Sequence, residues 1–411
     1  MRSIIQSAMY VLLLAGLASC ERETDTSWED KRENSLKAVA VNYVDNIVIP
    51  TYEDLAEKSM ELAQACADME KSVRENLSSD VGGNGTLCPA TRKLVEEACR
   101  KWYQARKYWE LSEAWLYGAA ADYNIDPHID SWPLDAAELD QLLDDPNRMD
   151  KMSAEYAADF LGYGLLGFHA VEYMIFERGI ENSSQKGSPK TSAFRRVEET
   201  TFLSAVAEDL RNQCVRLHAA WAGMDGVSAR EREILEEAGM DVFDYGASMR
   251  HAGKGGSKYT NYTQVAQEIL EGAASIADEV ANQKIARPNT GTSGEDLSYI
   301  ESPYAKNSKE DFHDNITSIK NAYEGMYDGK KTGVSVGDYL RDSDEPELQA
   351  ADQAVRRHLG RHRSRTRAFR EPCGKRQSPL GESHRGMQRT GRSLGNGGRR
   401  GRPLSEIQQS R

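Results

Sequence analysis

Residues 160–176 read Phe-Leu-Gly-Tyr-Gly-Leu-Leu-Gly-Phe-His-Ala-Val-Glu-Tyr-Met-Ile-Phe, and only His169 and Glu172 in this run carry charge near neutral pH. Three positions apart, they share one face if the run is helical. An ionised carboxylate removed from water without a partner costs several kcal/mol or more, so Glu172 must meet a cation, a proton or good donors. An imidazole and a carboxylate so placed can supply two metal ligands, or one ligand and a base. The spacing falls short of HExxH, in which two histidines one turn apart hold zinc, so any metal needs ligands from elsewhere. The alternative is a hydrogen-bonded structural pair. Gly162, Gly164 and Gly167 precede the histidine. Each weakens a helix by about 1 kcal/mol relative to Ala, and each admits a close backbone or ligand.

Further ligands are available in Ala121 to Asp135, a stretch too rich in Asp, Asn and Pro to be expected as helix, where four carboxylates and His128 can converge on a cleft. Asp135 is more simply the N-cap of a helix starting at Ala136, with Glu138 completing a capping box. Asp130 is expected as a metal ligand and Trp132 as a wall of the cleft. Arg106 and Glu113 reach the same region from an upstream helix, or else lie on a solvated face with ordinary ion pairs. His218, His251 and His313 are further candidates from the second half of the chain.

The elements that must position these groups read as helices. From Pro89, the apolar or small residues Leu94, Ala98, Trp102, Ala105, Trp109, Ser112 and Leu116 are spaced by three and four, one buried helical stripe. Similar periodicity runs through Val41 to Met69, Phe202 to Trp221, Ile234 to Met249 and Val265 to Val280, and no stretch sustains strand alternation. Turn-rich breaks fall at 81–85, 179–189, 253–256 and 287–294. The expectation is an all-α chain of two packed helical bundles, residues 36–224 and 225–350, with the boundary near Gly223 to Gly226.

The 411 residues carry a net charge of −13, which argues against a nucleic-acid partner. That average hides unlike regions: residues 21–350 are strongly acidic, whereas 351–411 hold 16 basic and 4 acidic residues. Residues 1–20 place Arg2 before an apolar run too short to span a membrane, which reads as a signal peptide. It ends in Leu17-Ala18-Ser19-Cys20, which resembles a bacterial lipobox, so Cys20 is the expected lipidation site and polar residues 21–35 the tether. The product would be anchored in the cell envelope, with Glu21 favouring the outer membrane. Cys66, Cys88, Cys99 and Cys214 are expected to be structural thiols or disulfides, since no zinc spacing is present. The Arg-rich stretch 351–411 lacks Tyr and Trp and is expected to stay disordered. It reads either as a basic arm for anionic lipid or polysaccharide, or as the product of a shifted reading frame that truncates the second bundle.

Gly167-Phe168-His169-Ala170-Val171-Glu172 resembles the GxHxxE motif of the imelysin family. The likeness extends through 102–106, 112–118, 126–135, Glu301-Ser302-Pro303-Tyr304 and 311–316, covering roughly residues 36–345. It implies two four-helix-bundle-like halves with the motif, His169 and Glu172, at a cleft between them. Relatives include an insulin-cleaving membrane peptidase, periplasmic components of iron uptake and polymer-binding proteins. Two readings of different class follow, with a polysaccharide-binding envelope protein as a third. In one, a lipid-anchored protein binds iron, or a ligand bearing it, through His169, Glu172 and Asp130, in a cleft lined by Arg106, Glu113 and Trp132, alongside metal-uptake partners in the envelope. In the other, a zinc peptidase uses Glu172 as base or ligand. Binding is preferred: there is no second histidine at helical spacing and no serine or cysteine nucleophile arrangement, and oxygen ligands with one imidazole suit iron.

Overall fold

The computed structural model describes residues 26–80, 89–178, 194 and 196–369. Cys20, the leader, Cys88 and residues 370–411 lie outside them. The described chain is all-α, as its periodicity predicts. The principal helices are α1 (Thr26–Tyr43), α2 (Ile49–Asp80), α3 (Pro89–Glu110), α4 (Ala136–Leu143), α5 (Gly167–Glu172), α6 (Val197–Ala222), α7 (Tyr262–Glu279), α8 (Ser308–Glu324) and α9 (Pro346–Phe369). Among the described residues the only strands are the two-residue pair Met326–Tyr327 and Lys330–Lys331, closed by Asp328 and Gly329 at positive φ. A tight hairpin turn demands that conformation at both central positions.

Two groups of helices share the interior. In the first, α2 packs against both α3 and α6; in the second, α7 packs against α1 and α8, and α8 reaches across to α3. One hydrophobic cluster runs from Leu36 to Val355, and Trp102, Trp109, Trp115 and Trp221 are fully buried in it. Each large apolar side chain so buried contributes about 1.5–3 kcal/mol or more. A contact unit runs from the amino terminus to Arg363, and Gly223 to Gly226 is a turn inside it. A second unit, Ser364–Arg411, is described only through the end of α9.

Local differences from the sequence reading have physical causes. The expected tether is helical from Thr26, and Arg32 and Glu33 fasten it to Thr263 and Tyr262 at the start of α7. The periodic stretch Ile234 to Met249 is two helices, Ala229–Glu237 and Tyr245–Arg250, separated at Gly239, which has positive φ. Residues Ala119–Asp122 and Ile125–Ile129 form short helices despite their composition, with Asn124 left-handed between them. The Arg-rich stretch begins as helix: Ala351 and Val355 of α9 are buried beside Leu348. Cys66, Cys99 and Cys214 are buried free thiols, and burial pushes the Cys66 thiol up to about 12.

Candidate functional site

The run Phe160 to Phe176 is not one greasy helix. A helix ends at Phe160, which is 68% exposed; a 3-10 turn covers Tyr163–Leu165; α5 starts afresh at Gly167; and a π turn follows at Tyr173–Arg178. Gly167 sets the start of α5. Gly167 has φ +70, and a Cβ there would overlap the carbonyl of Ile129. Its bare α-carbon therefore lets the backbone just before Asp130 lie against the start of α5. That approach brings Asp130 beside His169, with Oδ1 at 3.2 Å from Nε2.

Helix α3 supplies the opposite wall. Its buried stripe holds Trp102, whose indole donates to the Phe168 carbonyl at 2.9 Å, and Trp109, whose indole donates to Asp130 Oδ2 at 2.7 Å. Arg106 lies between them, completely buried, donating to Asp130 and, at 2.8 Å, to Glu301, while standing 2.5 Å from Glu110. The far half of the chain delivers the rest. Lys284, in the π turn Val280–Ala286 after α7, donates to Glu301 at 2.9 Å and to Glu113 at 3.4 Å. The segment 299–307 carries Glu301 in, and its Ser302 and Lys306 hold positive φ, a backbone conformation that costs non-glycine residues about 1–3 kcal/mol. The same segment ties down the motif glutamate: Ala305 N–H donates to Glu172 Oε1 at 2.7 Å, and Glu172 Oε2 faces His169 Nδ1 at 3.0 Å. Trp132 roofs the cluster, 6.2 Å from the His169 ring, 5.2 Å from Tyr299 and under the Lys284 ammonium.

All six residues singled out from the sequence, Arg106, Glu113, Asp130, Trp132, His169 and Glu172, therefore meet in one place. Sequence reasoning missed Glu110, Lys284, Glu301 and Asp311. Glu110 was legible as the residue one turn beyond Arg106 on the buried stripe; Lys284, in the polar run Asn282-Gln283-Lys284, carried no signal. Other candidates lie elsewhere: His128 pairs with Asp209, His218 with Glu231, His313 with Asp314, and His251 is exposed. Asp135 is the N-cap of α4, accepting from Glu138 N–H.

The electrostatics are unbalanced. Glu110, Glu113, Asp130, Glu172, Glu301 and Asp311 are buried with Arg106, Lys284 and His169, so fully ionised acids outnumber cations. Burial raises the Glu110 and Glu113 carboxyls well above the usual range despite Arg106 and Lys284, and pushes Asp311 up to about 7. Asp130 goes the other way: burial would raise it, but Arg106 and then His169 hold it well below the usual carboxylate range. Burial depresses His169, but Asp130 and Glu172 outweigh that and place it at about 9.

Several buried polar atoms here also lack a hydrogen bond, among them Glu301 Oε2, Glu113 Oε2 and Trp132 Nε1, while His169 Nε2 faces Asp130 at 3.2 Å. Buried polar atoms are almost always satisfied, so a concentration of exceptions indicates something additional to be held. Asp130, His169 and Glu301 each offer a ligand atom within 4.8 Å of the others, as do Glu110, Glu113 and Asp130. Donors on one metal with bonds of about 2.1 Å stand roughly 3–4.2 Å apart, so the first set lies near the spacing that one ion would need. With an ion there, Glu172 would stand behind the imidazole and fix its orientation, as carboxylates behind metal-bound histidines do.

A family profile described as imelysin, a peptidase family, matches residues 48–389. Iron-regulated protein A of Synechococcus elongatus is 23% identical over 295 residues, 72% of this chain and 65% of the relative, so less than two thirds of that protein is matched. A crystal structure described as an iron-regulated protein A precursor from Parabacteroides distasonis superposes with a TM-score of 0.55 at 24% identity, covering 75% of this chain and 79% of the other. An imelysin-like protein from Psychrobacter arcticum gives 0.47 at 11% identity, covering 80% and 92%. The first of these structures shares the fold; the second is too distant to carry an argument.

Proposed function

The chain belongs to the imelysin family, and on that premise we propose that it is a lipid-anchored protein of the bacterial cell envelope that captures a metal ion, iron by preference, in the buried acidic cluster and serves iron uptake. The observation that carries the reading is the convergence of Asp130, His169 and Glu301, whose possible ligand atoms lie within 4.8 Å of one another, with Glu301 Oε2 buried and without a hydrogen bond. Asp130, His169 and Glu301 would hold the ion and Glu172 would orient the imidazole. Carboxylates with one imidazole suit ferrous iron, and zinc comes next. The iron-regulated relative agrees in theme. Anchoring through Cys20 would place the site outside the cytoplasm; among the described residues no helix is long and apolar enough to cross a membrane.

Capture is favoured over peptide hydrolysis because both Glu172 oxygens are engaged within the protein. A metallopeptidase needs a carboxylate free to take a proton from metal-bound water, and an opening for a polypeptide. Here His169, Glu172, Glu301 and Arg106 are at most 2% exposed. The test is metal analysis of protein purified without chelators, followed by calorimetric titration with Fe(II) and Zn(II), beside an insulin-cleavage assay. One ion per chain without cleavage is the expected outcome. Metal-dependent cleavage abolished by His169→Ala would establish the peptidase instead, and failure to bind either ion would remove the reading.

A further inference from the structure

The acidic cluster contains a second group of possible ligand atoms, on Glu110, Glu113 and Asp130, distinct from the His169 group except for the shared Asp130. Lys284 sits against two of these, Glu110 and Glu113, with Glu301 as its third carboxylate. Its Nζ is 2.9 Å from Glu301 Oε1, 3.4 Å from Glu113 Oε1 and 3.8 Å from Glu110 Oε2, and the side chain is completely buried. Three carboxylates around one cation is what a hard metal ion would recruit. A buried ammonium is itself costly, so its placement there, rather than an apolar residue, needs a reason.

We infer that the Lys284 ammonium is a tethered substitute for a second metal ion: it occupies the position framed by Glu110, Glu113 and Glu301, so that the chain takes one ion at the His169 group where it would otherwise take two. The division of labour at Glu301 supports this. Its Oε1 receives both Arg106 and Lys284, whereas Oε2 has no hydrogen bond and is available to an ion on the other side. Glu113 Oε2 is likewise unpartnered and buried, a residual acceptor that one ammonium leaves unused. The lysine stem rises from a π turn, a wider backbone turn common at functional sites, and its ammonium lies over the Trp132 ring, 5.4 Å from the centroid. Lys284 thereby sets stoichiometry without touching the bound ion.

The inference rests on the proposed ion site, and the experiment separates the two. Fe(II) is titrated anaerobically into the wild-type chain and into Lys284→Met, and bound metal is counted by mass spectrometry after gel filtration. One ion in the wild type and two in the variant are expected. One ion in both sinks the inference alone; none in the wild type sinks the site and the inference with it. Should Lys284→Met fail to fold, lysine acetylation of the wild type with and without Fe(II) decides. A resident ammonium keeps Lys284 unlabelled in both states, whereas labelling that rises at least several-fold with Fe(II) means the ion evicts it, which overturns the proposal.

Discussion

Among the described residues two buried histidine–glutamate pairs occur, and they differ in their surroundings. At His218 and Glu231, one carboxylate oxygen meets His218 Nδ1 at 2.6 Å and the other accepts the Ser228 N–H at 2.8 Å, closing the capping box of helix Ala229–Glu237. That carboxylate is used up locally, and burial of Glu231 is outweighed by His218 and Ser228, which lower its pKa. At His169 and Glu172 the carboxylate is also used up, but the imidazole turns its other nitrogen to a second acid, Asp130, at 3.2 Å, in a cluster with excess acid. The first pair is closed within its own capping box; the second is continuous with the buried acidic cluster.

The strongest way to break this comparison is Asp130→Asn. It removes the main partner of the buried Arg106 guanidinium, and a buried ion pair broken on one side costs about 3–5 kcal/mol. Urea denaturation should show that loss together with disappearance of Fe(II) binding, whereas Glu231→Gln should cost only about 1–2 kcal/mol and leave binding intact. Equal losses from the two would erase the distinction.

Glu172→Gln sharpens it. The amide still holds Ala305 N–H but no longer fixes the imidazole as a carboxylate does, and Fe(II) affinity should fall about 10–100-fold by calorimetry. Glu231→Gln should leave that affinity within two-fold, by the same measurement.

Acid–base behaviour separates the pairs by sign. The fold raises His169 from 6.5 to about 9, so its contribution is complete below pH 6.5 and disappears as pH rises through 9. Asp311, raised from 3.8 to about 7, acts in the same direction from pH 4 upward. Glu231, lowered from 4.5, contributes above that pH and loses its contribution on acidification. The Tm of metal-free protein should therefore drop by several degrees between pH 6 and 9, and His169→Gln should flatten the drop while Glu231→Gln leaves it unchanged. The smallest effect is expected at Asp135→Ala, which removes the α4 cap, costs about 1 kcal/mol and leaves ion affinity alone.

The helical class and the motif pair were legible because periodicity and cost are local. His169 and Glu172 declared themselves by being ionisable among apolar neighbours, and Gly167 by offering a close approach that Ile129 indeed makes. Asp130, Trp132, Arg106 and Glu113 were reachable by placing an acidic loop near a tryptophan-rich helix. Glu301 and Asp311 sat in segments that carried the family likeness yet gave no sign of their role, because only the third dimension brings 299–311 against α3. Lys284 was invisible for the same reason. The run Phe160 to Phe176 is divided because Gly167, at positive φ, begins a new helix. The expected leader, Cys20 anchor and basic tail beyond 369 lie outside the described residues, although α9 and the family match both continue past 350.

The acceptors of the cluster come from positions 110, 113, 130, 169 and 301, and the segment bearing Glu301 is held in a conformation its residues do not choose alone. A nascent chain with fewer than about 300 residues emerged, or one held unfolded by a chaperone, therefore owns scattered acids and no cage. On the proposed reading, an ion would be taken up only once the fold is complete.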